Sequence, residues 1–327
     1  MRPLRAALLA LLLVLFAGTA AARADDVLLG TSPRPTTVAA AHGVVAWSTY
    51  EAGRYWLTAS IDGVVGRLPV ASRGVPFDVD VGDVGGQPAI TYSRCSVEPV
   101  AQIRGPFPEW SNGRGCRPWA YLTGSGRETR LATGVRWPRR ASVVLPSAAG
   151  ENVAFVLHVH ALGHGPHVYR VGKDRRLRRL PESRLGMLGR MAAPTDVDVD
   201  ATGHVATIWD GLVSKSCPAL DPRVTGAYGE IDELHLLTAS SDRRLLRTCS
   251  RTGPLVLNGL TWDGTTASFG AIGEGAGNRL LRLSLTGRSL SPEPLPPASI
   301  WAAADGPATY AVVSHDGRYD VVAVSAS

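Results

Sequence analysis

The amino-acid sequence predicts an all-β fold, a six-bladed β-propeller of four-stranded antiparallel blades. First, a strand–turn–strand pattern recurs roughly every 45 residues from Thr36 onwards, a period typical of propeller blades. Second, apolar and polar residues alternate in segments such as Val153–His160, which indicates strands. Third, five copies of the pattern contain four strand segments and a sixth contains three. A seven-bladed ring is the alternative, although no stretch is long enough for another copy.

A complete copy contains four strand segments, named a, b, c and d from the centre of the ring outwards. A small turn ends strand a, strand b is apolar, and a polar turn such as Ser60–Gly63 joins c to d. The copies occupy residues 36–70, 77–134, 142–181, 195–249, 257–296 and 299–326. Because consecutive strands are antiparallel, the b-to-c and d-to-a connections emerge on one face of the ring, called here the b–c face.

The sixth copy lacks its strand d, and the start of the propeller offers a replacement. Asp25–Gly30 is a short, partly apolar run that precedes the first strand a. We expect it to pair with the last strand c and to close the ring between the two termini. Closure removes an open sheet edge that would otherwise pair with other chains.

Residues 1–24 have the pattern of a signal peptide, and the propeller domain follows at residues 25–327. Two arginines precede the apolar run Ala6–Ala17, and Ala22–Ala24 resembles a cleavage site. The run is shorter than a membrane span requires. The sequence therefore predicts a bacterial protein that is secreted or lies in the periplasm or on the exterior of the cell envelope, and that does not span the membrane after signal removal.

The charge of the chain argues against nucleic acid as the partner. The net charge of +6 falls to +3 when Arg2, Arg5 and Arg23 leave with the signal segment. A nucleic-acid-binding domain usually has a much stronger basic excess. We expect a protein or a cell-envelope ligand as the partner, and a monomeric chain.

Four cysteines in an exported chain indicate disulfides. They are Cys95, Cys116, Cys217 and Cys249. Three pairings are possible, and proximity along the chain favours Cys95 with Cys116 and Cys217 with Cys249. Both pairs fall in copies whose b-to-c connection is long, residues 94–117 and 212–231, so we expect disulfides to stabilise these two loops.

The first long loop carries residue types that are common in contact surfaces. Tryptophan and arginine are enriched among the residues that dominate binding energies. The candidate binding residues are Arg104, Phe107, Trp110, Arg114 and Trp119. The alternative is that Trp110 packs the loop onto its own blade.

Half of the eight histidines occur within ten residues. They are His158, His160, His164 and His167. Three or four imidazoles at the end of strand b and in the following loop, residues 158–167, would suit a transition metal such as Zn, Cu or Ni. The alternative, which we favour, is a solvated strand face with a polar turn.

A second set of candidate ligands is acidic and falls on two strands a, the innermost strands of their blades. The set comprises Asp78, Asp80, Asp196 and Asp198. Alternation places each pair on one side of its strand, where carboxylates facing the central channel would suit Ca²⁺. The alternative is a structural role in which they accept hydrogen bonds from turn amides. For a cofactor the sequence thus leaves Ca²⁺, a transition metal or none, and it favours none.

The strand-ending turns resemble those of the TolB-like and WD40-like exported propellers. The residues are DATG, TWDG and AADG at the ends of strands a, and SIDG between strands c and d. The resemblance implies a periplasmic or extracellular six-bladed scaffold that binds a protein partner, and it carries over no catalytic residue. The chain also contains no G-x-S-x-G, H-E-x-x-H or P-loop motif. We therefore favour a binding or scaffold module over the alternative, a metal-dependent hydrolase or oxidoreductase.

Overall fold

The six-bladed β-propeller is confirmed by a computed structural model. It contains six four-stranded antiparallel sheets and one two-stranded hairpin. The structure describes residues 26–98, 100–104, 107–111, 113–138, 140–159, 166–182, 193–214, 228–249, 255–273 and 277–325. Within these ranges there is no helix of the length and apolarity that a membrane crossing requires.

The strands follow one another blade by blade. The chain begins with β1 (Val27–Ser32), and blade 1 contains β2 (Val38–Ala41), β3 (Val44–Glu51), β4 (Arg54–Ile61) and β5 (Val64–Arg67). Blade 2 contains β6 (Asp80–Val84) and β7 (Gln87–Arg94), then the hairpin β8 (Val100–Arg104) and β9 (Phe107–Ser111), then β10 (Arg117–Leu122) and β11 (Arg127–Arg130). Blade 3 contains β12 (Ala141–Ala149), β13 (Asn152–Val159), β14 (His167–Val171) and β15 (Leu177–Arg179).

The second half of the ring repeats this order. Blade 4 contains β16 (Ala193–Val199), β17 (Val205–Ser214), β18 (Tyr228–Leu237) and β19 (Asp242–Cys249). Blade 5 contains β20 (Leu255–Trp262), β21 (Thr266–Gly273), β22 (Arg279–Ser284) and β23 (Ser289–Pro294). Blade 6 contains β24 (Ser299–Asp305), β25 (Ala308–His315), β26 (Arg318–Val324) and, as its outer strand, β1. The first strands of the blades, β2, β6, β12, β16, β20 and β24, contact one another in turn and form the inner ring.

The ring closes between the two ends of the chain, as the sequence predicts. β1 pairs antiparallel with β26, from Val27 opposite Ala323 to Ser32 opposite Tyr319. The backbone N–H of Ser325 donates to Asp26, at 2.9 Å. Strand d of the last blade is therefore supplied by the N-terminal segment.

Blade 1 shows why the turn residues define the strands. Both residues of each two-residue turn have positive φ, 54° and 75° at His42–Gly43 and 51° and 80° at Asp62–Gly63. This is the turn geometry whose twist matches antiparallel strands, and aspartate and glycine tolerate it well. The polar Asp-Gly turn therefore fixes where β4 ends and β5 begins.

The hydrophobic core lies between neighbouring blades. Between blades 1 and 2, Phe77, Leu57 and Ile90 are fully buried, and the ring of Phe77 contacts that of Tyr92 edge to face at 5.5 Å. The blades approach so closely that a Cβ added at Gly82 would lie 2.0 Å from the carbonyl oxygen of Ala148. Only glycine fits at that contact.

A polar side chain also joins each blade to the next. In every case an oxygen of one blade accepts a hydrogen bond from a backbone N–H in or beside the inner strand of the following blade. At the buried junctions this satisfies donors that would otherwise be unpaired. The pairs are Ser48 with Phe77 N, Asp78 with Leu145 N, Ser147 with Val199 N, Asp196 with Leu260 N, Asn258 with Ala302 N, and Asp305 with His42 N and Gly43 N. These inter-blade bonds continue around all six junctions.

The three predicted loops of the b–c face are shorter than expected. In residues 94–117, the hairpin β8–β9 spans residues 100–111, half of the segment. In residues 212–231, the ladder of β17 and β18 continues from Leu212 opposite Glu230 to Ser214 opposite Tyr228, so only residues 215–227 lie outside the described structure. In residues 158–167 both ends belong to strands. The reason is that apolar residues continue past the blade edge, and their backbones go on pairing.

Candidate functional site

The hairpin β8–β9 extends blade 2 on the b–c face. Its five cross-strand pairs run from Val100 opposite Ser111 to Arg104 opposite Phe107. At its base Cys95 and Cys116 form a disulfide, as predicted. The second predicted pair stays a prediction, because Cys217 and the side chain of Cys249 lie outside the described residues.

The base of the hairpin is held by both neighbouring blades. The backbones of Val97 and Arg114 exchange hydrogen bonds of 3.1 and 3.0 Å above the disulfide. On the blade 1 side, the backbone N–H of Gly74 donates to Glu98 at 2.6 Å. On the blade 3 side, the hydroxyl of Ser142 donates to the carbonyl of Gly113 at 2.7 Å. The insertion is thus a fixed projection of the ring.

Four of the five predicted binding residues lie in this insertion. Arg104 and Phe107 face each other next to its turn, and Trp110 pairs with Ala101. The side chains of these three residues lie outside the described structure. Arg114 is exposed at the base, and Trp119 lies in β10 below, partly covered by Arg94. The insertion thus holds four of the five residues, Trp119 belongs to the strand that follows it, and their binding role stays a prediction.

Sequence reasoning missed the arginines that surround Trp119. The guanidinium of Arg94 lies 5.0 Å above the Trp119 ring, and that of Arg117 lies 4.9 Å above the ring of Trp137. Arg130 is directly opposite Trp119 on β11. Arg94 and Arg130 are distant from Trp119 in sequence, and the strand register places them beside it. We call Arg94, Arg117, Trp119, Arg130 and Trp137 the arginine–tryptophan surface.

The histidine set divides between the two faces of blade 3. His167 is directly opposite Leu157, so its side chain shares a face with Leu157, and the adjacent His158 belongs to the other face. The Nδ1 atom of His167 lies 2.8 Å from Glu182. His160 and His164 lie outside the described residues. A transition-metal site stays a prediction.

The channel acids make the contacts of structural carboxylates. Asp78 accepts hydrogen bonds from Leu145 N and from both N–H and hydroxyl of Ser93, and it forms a buried ion pair with Arg73 at 3.0 Å. Asp198 accepts from Ser147 at 2.6 Å and from Trp262 N at 2.5 Å. Among the described residues no group of three or more His, Cys, Asp or Glu is arranged to hold a metal ion. The Ca²⁺ hypothesis thus gains no geometric support there.

Three of these carboxyls lie close together, with Asp198 buried and Asp80 and Asp196 half-buried. Burial raises the pKa of Asp196 to about 7, although the hydrogen bond from Leu260 N acts to lower it. Burial also raises the pKa of Asp198 to about 6. Burial and the neighbouring Asp198 raise the pKa of Asp80 well above its ordinary value. The Oδ2 atom of Asp80 is screened from solvent and has no hydrogen-bond partner. These carboxyls lose their protons as the pH rises, so negative charge accumulates on them.

A second charged cluster lies inside blade 4. The Nε2 atom of His235 donates to Glu233 at 2.9 Å and its Nδ1 atom donates to Asp242 at 2.6 Å. Arg244 donates to Glu233 at 2.9 Å, and Arg247 also donates to it. The side chains of Glu233, His235 and Asp242 are at most 3% exposed. Without access for a substrate, this cluster is structural.

The similarities between this chain and known proteins are distant. No protein family and no curated protein matches the chain. Among solved structures, TolB from Acinetobacter baumannii is similar, with a TM-score of 0.45 and 15% identity over 86% of this chain and 64% of TolB. A puromycin hydrolase has a TM-score of 0.46 and 13% identity over 85% of this chain and 50% of its own. The chain therefore spans less than two thirds of the length of either protein.

A third similar structure is the six-bladed propeller of a fungal lectin, that of Aleuria aurantia, which is described with a fucose recognition mode. It has a TM-score of 0.46 and 10% identity over 86% of this chain and 88% of the lectin. The class defined by fold is that of six-bladed β-propellers, and the resemblance to TolB-like propellers is one of architecture.

Proposed function

We propose that this protein is an exported, monomeric propeller that binds a protein partner through its b–c face, with the hairpin β8–β9 as the main contact element. The proposal includes removal of residues 1–24 as a signal segment and a binding role rather than catalysis. The disulfide Cys95–Cys116 supports export, because disulfides persist in oxidising compartments. The secretion signal pattern in the sequence supports it as well.

The fixed base of the hairpin is the observation that carries the proposal. An isolated two-stranded hairpin is marginally stable in water, so a hairpin that only filled space would not need bracing. Here a disulfide, a backbone ladder and hydrogen bonds to Glu98 and from Ser142 hold the base against three blades. A contact element that is ordered before binding loses less entropy when it binds.

Removal of the hairpin tests the proposal. In the variant that lacks residues 97–114, Ser96 and Gly115 become a two-residue turn between Cys95 and Cys116. The mature protein and the variant are immobilised and exposed to extract from the native host, and bound proteins are identified by mass spectrometry. We expect a partner that the mature protein retains and the variant loses at least about tenfold, in line with loss of a central contact element.

Two measurements make the result decisive. Circular dichroism and thermal unfolding of the variant verify that the propeller is intact. A control variant, Arg176→Gln with Arg288→Gln, alters two exposed residues of c-to-d turns, which lie on the opposite face, and is expected to retain the partner. A folded deletion variant that captures the same proteins as the mature chain would refute the assignment of this surface.

A further inference from the structure

The arginine–tryptophan surface carries positive charge that blade 2 does not neutralise. Arg94 and Arg117 are directly opposite each other on β7 and β10, and like charges in this position are destabilising. The only carboxylate that pairs with the surface in the described structure is that of Glu128. It accepts from Arg94 at 2.9 and 3.0 Å and from the hydroxyl of Tyr92 at 2.5 Å. Arg117 and Arg130 have no described carboxylate within ion-pair distance.

Arg117 is held in place while its charge stays uncompensated. Its Nη1 atom donates to the carbonyls of Cys116 and Ala141 at 2.7 and 2.9 Å, and its guanidinium stacks over Trp137. Partial burial, and secondarily the charge of Arg130, lower the pKa of Arg117. A carboxylate from a ligand would offset both effects by its opposite charge. A guanidinium suits such a ligand because it offers paired donors in a fixed plane.

The hairpin next to this surface has free edges. In the described structure β8 and β9 pair only with each other, so each presents one unpaired edge. An extended peptide can add to such an edge through main-chain hydrogen bonds, while its alternate side chains reach the surface beside it. The strands that lead into the base of the hairpin end at Arg94 and begin at Arg117, so the edges and the cations are adjacent.

From this juxtaposition we propose that the arginine–tryptophan surface and the adjoining hairpin edge bind an extended acidic segment of a polypeptide. The carboxylates of the segment pair with Arg117 and Arg130, and its backbone pairs with the hairpin. This inference rests on the proposed function and names the chemistry of its partner. An acidic polysaccharide offers the same charge but has no peptide backbone to pair with a strand.

The test uses a fluorescein-labelled octapeptide of alternating glutamate and threonine, with a glutamine–threonine peptide of the same length as the uncharged probe. Fluorescence polarisation at low salt is expected to show binding of the glutamate peptide and at least about tenfold weaker binding of the glutamine peptide, since two charge pairs are lost. Arg117→Gln with Arg130→Gln is expected to weaken the glutamate peptide about tenfold or more. The control Arg176→Gln with Arg288→Gln, of equal charge change, is expected to alter it less than about twofold.

Arg117 also contacts backbone carbonyls, so its replacement can disturb the fold. The single variant Arg130→Gln, at an exposed position, is therefore measured too, and it is expected to weaken binding by a smaller factor than the double variant. Equal loss in the test and control variants would show unspecific attraction and overturn the inference. Binding of sulfated or uronic-acid oligosaccharides as tight as that of the peptide would overturn it in favour of a glycan. A further outcome separates this inference from the proposed function. If a partner that requires the hairpin is captured as well by the double variant Arg117→Gln with Arg130→Gln as by the mature protein, this inference is overturned and the proposed function is left intact.

Discussion

His235 holds a positive charge inside blade 4 because two carboxylates enclose it. Burial lowers its pKa, but the hydrogen bonds to Asp242 and Glu233 outweigh this and raise the pKa above its ordinary value. Burial likewise raises the pKa of Glu233, yet His235 and Arg247 lower it to about 2. Each group of the cluster is thus charged because the others are, which is typical of a buried ion network.

We therefore expect His235→Gln to destabilise the protein by about 3 kcal/mol, the lower end of the range for breaking a buried ion pair, because Arg244 and Arg247 still neutralise Glu233. The stabilising contribution of His235 is complete below its unfolded-state pKa of about 6.5 and disappears as the pH rises through its higher folded-state pKa. Urea unfolding at several pH values should show a gap between the two proteins that narrows towards alkaline pH.

His315 provides the matched control. It also lies next to a carboxylate, that of Asp316 at 2.9 Å, but both side chains are at least 70% exposed. An exposed pair contributes little to stability. His315→Gln should leave the urea midpoint nearly unchanged at every pH, and equal effects of the two substitutions would contradict the role of burial.

At the scale of the strand, the pairing of β1 with β26 depends on one glycine. Gly30 lies at an irregularity in the pairing of β1 with β26, and a Cβ added there would lie 3.1 to 3.3 Å from the buried indole of Trp47. Overfilled contacts of this kind cost about 1–3 kcal/mol. We expect Gly30→Val to destabilise the protein by about that amount and to lift β1 from β26, which hydrogen exchange of the β26 amides would report.

Leu28 offers a control on the same strand. Its side chain is 58% exposed, so Leu28→Val keeps a strand-forming residue and leaves the contact with Trp47 intact. Protection of the β26 amides should then equal that of the native chain. If Gly30→Val also left this protection unchanged, β1 would not depend on close approach to Trp47.

The elements that the sequence predicts are those with a local signal. The Asp62–Gly63 turn, the alternation in β13 and the closing run at β1 are each recognisable within ten residues, because turn chemistry and strand period act locally. The bonds that join the blades have no such signal. Ser48 and Asn258 act on amides that lie 29 and 44 residues further along the chain, and only the register shows it.

The candidate site also has features that the sequence predicts and features that it does not. Proximity along the chain predicts the disulfide at Cys95, and loop length predicts the position of the insertion. The arrangement of Arg94, Arg117 and Arg130 depends on which residues of β7, β10 and β11 are opposite one another. A shift of one residue would send alternate side chains to the other face, so composition alone cannot predict this surface.

At the scale of the whole molecule, the stability contributions of two separate clusters, the three aspartates and His235, depend on pH with the same sign. The carboxyls of Asp80, Asp196 and Asp198 have raised pKa values, so the folded state retains protons that the unfolded chain has lost, and stability falls as the pH rises from about 4 through 7. The contribution of His235 falls in the same direction above about 6.5. The lowered pKa of Glu233 has the opposite effect, because its contribution is lost as the pH falls below about 4.5 towards 2.

We therefore expect the protein to be more stable at pH 5 than at pH 8, by on the order of 2–4 kcal/mol at about 1.4 kcal/mol for each unit of pKa shift. Asp80→Asn should raise the melting temperature at pH 8 and flatten the pH profile, because it removes the carboxyl whose Oδ2 atom has no partner and so relieves its repulsion of Asp198. Asp62→Asn, in the exposed turn between β4 and β5, removes the same charge and should leave the profile unchanged. Calorimetry of the three proteins from pH 4 to pH 8 distinguishes the outcomes, and a profile for Asp80→Asn as steep as that of the native chain would contradict this account of the channel acids.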